Sequence, residues 1–294
     1  MLLSAASPVP ALMSVPLAQG IPSPDWSGFS VGPLTVHAYA LCILAGIAAA
    51  LWLTLRRWSA RGLDPEVVWD VVMWAVPAGI VGARLYHVLI TDPAGYFGTG
   101  ADPLDVLRIW EGGLGIMGAV AFGALAAWWV CRRHGIPLSV FADAVAPGLL
   151  LAQAIGRWGN WFNQELFGRP TTLPWGLEID PAGANFPAGL PADTLFHPTF
   201  LYESLWNLAG VVLLLALERR FRLDGGRLFA LYLVHYGTGR LLIELFLRID
   251  PSLVLLGLRV HVWTSLAVVL LGAALFVVLT RRRARQTAAG TARA

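Results

Sequence analysis

The stretch FADAVAPGLLLAQAIGRWGNWFNQELFG, residues 141–168, decides how the chain is read. It opens as an apolar run and ends on an arginine, two asparagines, a glutamine and a glutamate. About 20 apolar residues in a helix span roughly 30 Å, the thickness of a bilayer's hydrocarbon. Polar groups at the end of such a run are costly in lipid unless they face a cavity, a partner or the water boundary. Why they stand there is the question the rest of the sequence answers.

The whole chain shares the character of that run. Of its 294 residues 57% are hydrophobic and only 13% charged, against about 25% charged in soluble proteins. A soluble protein of any core size still covers itself with polar groups, so this composition points to a polytopic membrane protein. Seven apolar segments follow, over 37–55, 67–90, 111–131, 138–158, 198–217, 227–247 and 261–280. Residues 1–33 are expected to be an irregular or interfacial leader. They lack a basic start, and Pro8, Pro10 and Pro16 interrupt their apolar run. The single membrane domain is expected over 34–282, with a long loop at 159–197 and a basic tail at 283–294.

Loop charge sets orientation. Arg56, Arg57 and Arg61 follow the first segment, Arg132 and Arg133 the third. Arg219, Arg220, Arg222 and Arg227 surround the turn after the fifth, and Arg281, Arg282, Arg283 and Arg285 follow the seventh. The other loops are poor in Arg or acidic. The positive-inside rule then places the N-terminus outside and the C-terminus in the cytoplasm, and only an odd number of spans keeps that alternation.

Three arginines break the pattern: Arg84, Arg157 and Arg240 lie within or at the end of apolar segments. Inserting a guanidinium costs at least about 2.5–3.5 kcal/mol on translocon scales. Each is expected to face a polar cavity or a carboxylate. Arg240 and Glu244 are four apart and share a helix face, which Arg248 extends by a turn. Glu203 opens the fifth segment beside His197 and Tyr202, and Arg157, Asn160 and Glu165 succeed one another around a helix end. Such charges either neutralise one another and lock helices together or hold an anion, and at an outer-leaflet boundary that anion is a lipid phosphate. No basic face or aromatic–basic module suggests nucleic acid. Cys42 and Cys131 sit singly in apolar runs as packing residues, and no ligand spacing calls for a metal or other cofactor.

At this point the residues match a known pattern. GRWGNWFNQELFG (156–168) strongly resembles the signature of the prolipoprotein diacylglyceryl transferases, roughly G-R-x-G-N-F-x-N-x-E-x-x-G. Gly156, Arg157, Gly159, Asn160, Asn163, Glu165 and Gly168 fit, and Trp161 stands where Phe is usual. HAYAL (37–41), GARLYHVL (82–89), WEGGLGIMGAV (110–120), SVFADAVAP (139–147), HPTFLYE (197–203) and YGTGRLLIELFLR (236–248) follow the family's order.

The resemblance implies an all-α enzyme of the bacterial cytoplasmic membrane, with seven spans and its active site toward the outer leaflet. It implies transfer of the diacylglyceryl group of phosphatidylglycerol to the lipobox cysteine of a prolipoprotein signal peptide, forming a thioether and releasing glycerol 1-phosphate. Its partners are then phosphatidylglycerol, prolipoproteins and membrane lipids, with no cofactor. By the same resemblance Arg157, Arg240, Tyr39, Glu165, Glu203 and His197 carry the catalytic roles, and Asn160, Gly168, Arg84, Glu244 and Arg248 join Arg157 around the substrate. Arg84 either touches the head group or snorkels to the surface. Met117 stands where many members carry a histidine considered for thiol activation, and a thioether takes no proton at neutral pH. The thiol base is then one of the carboxylates, His37 or His197. The rival readings are a catalytically inactive lipid-binding paralogue, favoured by Met117, and a small transporter, for which no inverted repeat of broken helices is visible.

Overall fold

The computed structural model describes residues 20–32, 34–100 and 102–291. Most of the leader and the extreme C-terminus lie outside the described residues. Seven long helices carry the fold: α1 (Ala38–Ser59), α2 (Glu66–Tyr86), α4 (Ile116–Arg133), α5 (Leu138–Phe162), α6 (Thr199–Phe221), α7 (Arg227–Phe246) and α8 (Val260–Thr291), with a short α3 (Pro93–Phe97) after α2. Five of them, α1, α2, α5, α6 and α8, are long and apolar enough to cross a membrane. Of the other two, α4 is 18 residues long and ends on Arg132–Arg133, and α7 holds Arg227, Arg240 and Glu244.

Small residues let the helices meet closely, as expected where lipid supplies no hydrophobic drive between them. A Cβ at Gly46 would lie 2.9 Å from the Ala152 carbonyl oxygen, and one at Gly148 2.9 Å from that of Ala50. The pairs 46/152 and 50/148 run in opposite directions, so α1 and α5 are antiparallel. Gly82 against Gly118 and Gly79 against Ala119 give the same sense for α2 and α4. Gly237 against Val269 and Gly272 against Ala230 give it for α7 and α8. Large apolar side chains such as Leu44, Met73 and Val212 point outward with more than half their surface bare, the arrangement a lipid surround accepts and water does not.

Two helical expectations, at residue 111 and at Arg248, are corrected, and the end of the leader and the long loop carry local structure of their own. The segment read from residue 111 becomes α-helical only at Ile116, because Gly112 and Gly113 adopt φ of 95° and 69° and form a loop. The leader is not irregular to its end, since β1 (Gly28–Val31) pairs antiparallel with β2 (Leu34–His37). The Arg240 face does not continue helically to Arg248, because α7 ends at Phe246. The long loop is folded: β3 (Pro170–Thr171) pairs with β4 (Leu195–Phe196), and Phe167, Leu177, Ile179, Phe196 and Phe200 bury one another in a small core of their own. A third hairpin, β5 (Val254–Leu255) with β6 (Leu258–Arg259), joins α7 to α8.

Candidate active site

The polar end of the opening stretch stays helical through Arg157. α5 runs unbroken to Phe162, then reverses tightly, with Gln164 and Leu166 at φ of 48° and 56°. Non-glycine residues in that region are strained and persist only where their surroundings impose it. Here Gln164 accepts from the Asp180 amide at 2.7 Å and donates to the Pro24 carbonyl at 3.1 Å. The reversal folds Glu165 back, its amide donating to the Asn160 carbonyl at 3.1 Å. The Asn160 side chain bridges, donating to Glu165 Oε1 at 2.9 Å and accepting from Arg157 Nη1 at 3.3 Å.

Glu203, in the second turn of α6, is the hub. Its carboxylate receives Arg157 Nε at 2.5 Å on one oxygen, and Arg240 Nη1 at 3.2 Å and Arg248 Nη2 at 2.9 Å on the other. Arg240 also pairs with Glu244 one turn on, and Glu244 receives Arg259 Nε at 3.1 Å. Arg259 in turn holds the Asp250 carboxylate at 2.9 Å and its carbonyl at 2.7 Å. Three helices and the α7–α8 connection thus converge on one ion-pair network. Four guanidiniums stand against the three carboxylates they pair with, and Glu165 lies behind Asn160.

Exposure and unengaged nitrogens sort the arginines. Arg248 gives Nη1 to the Leu166 carbonyl; its Nε has no partner among the described residues, but at 2% exposure it is sealed from a ligand, so Arg248 is a strut. Arg157 and Arg240 are each 20% exposed. Among the described residues nothing accepts from Nη2 of Arg157 or Nε of Arg240, so these two retain hydrogen-bonding capacity for an anion.

The remaining expected residues divide. The Tyr39 ring lies across α5 where Gly159 has no side chain, so close that a Cβ there would be 2.6 Å from the ring. That packs it against the last turn of α5. His197 stands at the rim: its Nδ1 is 3.2 Å from the Tyr202 hydroxyl, and burial pushes its pKa below the ordinary imidazole value. Gly168 acts through its backbone, donating to the His197 carbonyl at 2.9 Å, and a Cβ would meet His197 at 2.8 Å.

Arg84 is not in the network and does not snorkel. It is buried, and it donates to the carbonyls of Val106 at 2.8 Å and Gly112 at 2.8 Å, with the Tyr96 ring against its guanidinium. It shapes the 103–113 loop. Met117 is half exposed on α4 and His37 ends β2 with its side chain exposed. Asp143 accepts the amides of Gly226 at 2.7 Å and Phe229 at 2.9 Å and so caps the start of α7. Arg259 and Asp250 are the network members that the sequence reading did not select. Both lie in connections, where helical spacing gives no signal. Among the described residues no group of His, Cys, Asp and Glu has the arrangement of a metal site.

Comparison with known proteins bears on this geometry. A sequence model of the prolipoprotein diacylglyceryl transferase family matches residues 27–278. The chain is 56% identical over 262 residues to the phosphatidylglycerol–prolipoprotein diacylglyceryl transferase 2 of Streptomyces coelicolor, covering 89% of this chain and 81% of that protein. It is 55% identical over 281 residues to the phosphatidylglycerol–prolipoprotein diacylglyceryl transferase of Paenarthrobacter aurescens, covering 92% and 86%. Its counterpart in Bifidobacterium adolescentis is 51% identical over 269 residues, covering 88% and 80%.

Proposed function

The chain belongs to the prolipoprotein diacylglyceryl transferase family, and from that membership we propose that the Arg157–Glu203–Arg240 network is where its reaction runs. The protein is a transferase, moving the diacylglyceryl group of phosphatidylglycerol to a prolipoprotein. The observation that carries the site is the pair of half-open guanidiniums on Glu203, each with a nitrogen left for an anion.

The acceptor is the thiol of a lipobox cysteine. Its sulfur attacks the glyceryl carbon that bears the phosphate. A C–S bond forms, the C–O bond to phosphate breaks, and the phosphate leaves with its glycerol as glycerol 1-phosphate. Charge grows on the departing phosphate, where Arg157 and Arg240 stabilise it by charge-assisted hydrogen bonds. The thiol, only a few per cent ionised at neutral pH, is favoured as thiolate by the same positive field. Its proton passes to a base at the rim and from there to solvent. His197 suits that role because it is neutral at pH 7, and Glu165, joined to Arg157 through Asn160, is the other candidate. Tyr39 and Asn160 orient oxygens as neutral donors. Glu203, Glu244 and Arg248 hold the two working arginines, Gly168 holds the backbone beside Arg248, and Arg84 holds the 103–113 loop.

All seven long helices cross the bilayer in this reading. The network end faces outward, and the end carrying Arg56, Arg132, Arg219 and Arg281 faces the cytoplasm. The antiparallel helix pairs and the basic clusters at one end support it.

Purified protein given phosphatidylglycerol labelled in its acyl chains and a lipobox peptide should move label onto the peptide. Arg157→Gln should abolish that transfer, and full transfer by this variant would refute the site. A cysteine placed at Asp180 should react with an impermeant thiol reagent in intact cells, and one at Arg285 only after permeabilisation; the reverse would invert the orientation.

A further inference from the structure

Arg259 lies outside every motif that carried the family resemblance, yet it completes the network. It sits on β6, opposite Val254, and its guanidinium turns inward from the hairpin. All three of its nitrogens are engaged: Nε with Glu244 at 3.1 Å, Nη2 with the Asp250 carboxylate at 2.9 Å, and Nη1 with the Asp250 carbonyl at 2.7 Å. Each of its nitrogens thus holds a fixed carboxylate or carbonyl, whereas Arg157 and Arg240 each have one nitrogen without an acceptor among the described residues. Glu244 is 2% exposed at its side chain and has two partners, Arg240 on one oxygen and Arg259 on the other. A carboxylate so buried needs both its lone-pair sets satisfied. Without Arg259, the cation that remains paired with Glu244 among the described residues is Arg240, and the fork of a guanidinium matches a carboxylate bidentately.

On the reading that Arg157 and Arg240 hold the phosphate, we infer that Arg259 is a positioning residue. It occupies one oxygen of Glu244 so that Glu244 steadies Arg240 without claiming it, and Arg240 keeps its remaining hydrogen-bonding capacity for the lipid phosphate. The cost of losing Arg259 falls on phosphatidylglycerol binding and not on the chemical step. Arg240 moves toward Glu244, and the lipid must compete with a buried carboxylate for it.

The test is equilibrium binding of phosphatidylglycerol to the purified full-length protein in detergent, for Arg240→Gln, Arg259→Gln and the two combined, with KM and kcat measured on Arg259→Gln. Arg259→Gln should weaken binding and raise KM by about tenfold, the equivalent of one charge-assisted hydrogen bond, with kcat within about twofold. Combined with Arg240→Gln it should weaken binding no further than Arg240→Gln alone, because it acts only through Arg240. Additive losses, or unchanged binding in Arg259→Gln, would overturn the inference. Unchanged binding in Arg240→Gln would instead refute the phosphate site on which it rests. Should Arg259→Gln not fold, Arg259→Lys, which keeps the charge but offers a single point donor, takes its place: its loss in binding should again vanish in the Arg240→Gln background, and a loss that persists there would overturn the inference.

Discussion

The molecule buries arginine–carboxylate pairs at both ends of its helix bundle, and the two ends use them differently. At the basic end Glu218 receives Arg57 on one oxygen at 2.7 Å and Arg61 on the other at 2.6 Å. Arg57 gives its other terminal nitrogen to the carbonyls of Asp143 and Ala144. Asp143 accepts two amides at the start of α7. Both carboxylate oxygens of Glu218 and of Asp143 are matched to fixed partners, so α1, α5, α6 and α7 are stapled. At the other end Glu203 collects three guanidiniums, and two of those, Arg157 and Arg240, are partly exposed and each keep a nitrogen from which nothing accepts among the described residues. The same residue types make a staple where two guanidiniums close on one carboxylate, and a cradle where three converge on one from separate elements. What distinguishes the site from the brace is the excess of positive charge around the shared carboxylate.

Substitutions at the two ends should therefore fail in different ways. The largest effect is expected at Arg157. Arg157→Ala should lower kcat/KM for lipid transfer by about 10²–10³-fold, the usual loss for one preorganised donor to a developing oxyanion. Its melting temperature should change little, since Glu203 keeps Arg240 and Arg248. A stability loss in place of an activity loss would make the network a second staple.

Asp143→Ala is the mirror experiment. It leaves two buried amides without an acceptor and should cost about 1–3 kcal/mol, read as a lower melting temperature. The activity of each folded molecule should be unchanged, and a selective activity loss would join the two ends functionally.

A smaller effect is expected at His197, whose pKa is held below the ordinary value by burial. The unfolded chain then takes up this proton at higher pH than the folded one. Stability should fall as pH drops from about 6.5 through the lower folded value. His197→Gln should flatten that part of a melting-temperature profile between pH 8 and 5, and an unaltered slope would show that the imidazole is as accessible in the fold as in the free chain. The smallest effect is expected at Met117. It is half exposed and outside the network, so Met117→His should change the transfer rate by less than about twofold, within the range usual for surface positions.

The sequence made the staple's helices legible and the cradle only in part. Apolar length alone located α5, α6 and α7 to within a few residues of their ends. Helical spacing also put Arg240 and Glu244 together, because four residues is one turn. It had no means of bringing Glu203 onto Arg157 and Arg240, which depends on how α5, α6 and α7 pack. It carried the Arg240 face to Arg248 by the same spacing, although the helix stops first, and Arg248 reaches Glu203 from the connection. Arg84 showed as a costly intramembrane charge, correctly, but its partners are backbone carbonyls of a distant loop, which no side-chain pattern reveals. The fold of the 163–198 loop was missed because its apolar residues are scattered among Pro and Gly with no period to read.

The most direct measurement is the rate at which purified Arg157→Gln/Arg240→Gln protein transfers a labelled diacylglyceryl group from phosphatidylglycerol to a lipobox peptide, with its melting temperature recorded alongside. The cradle predicts transfer indistinguishable from background in a protein that still melts cooperatively. Transfer at the wild-type rate would contradict it and send the search for the phosphate site elsewhere in the bundle.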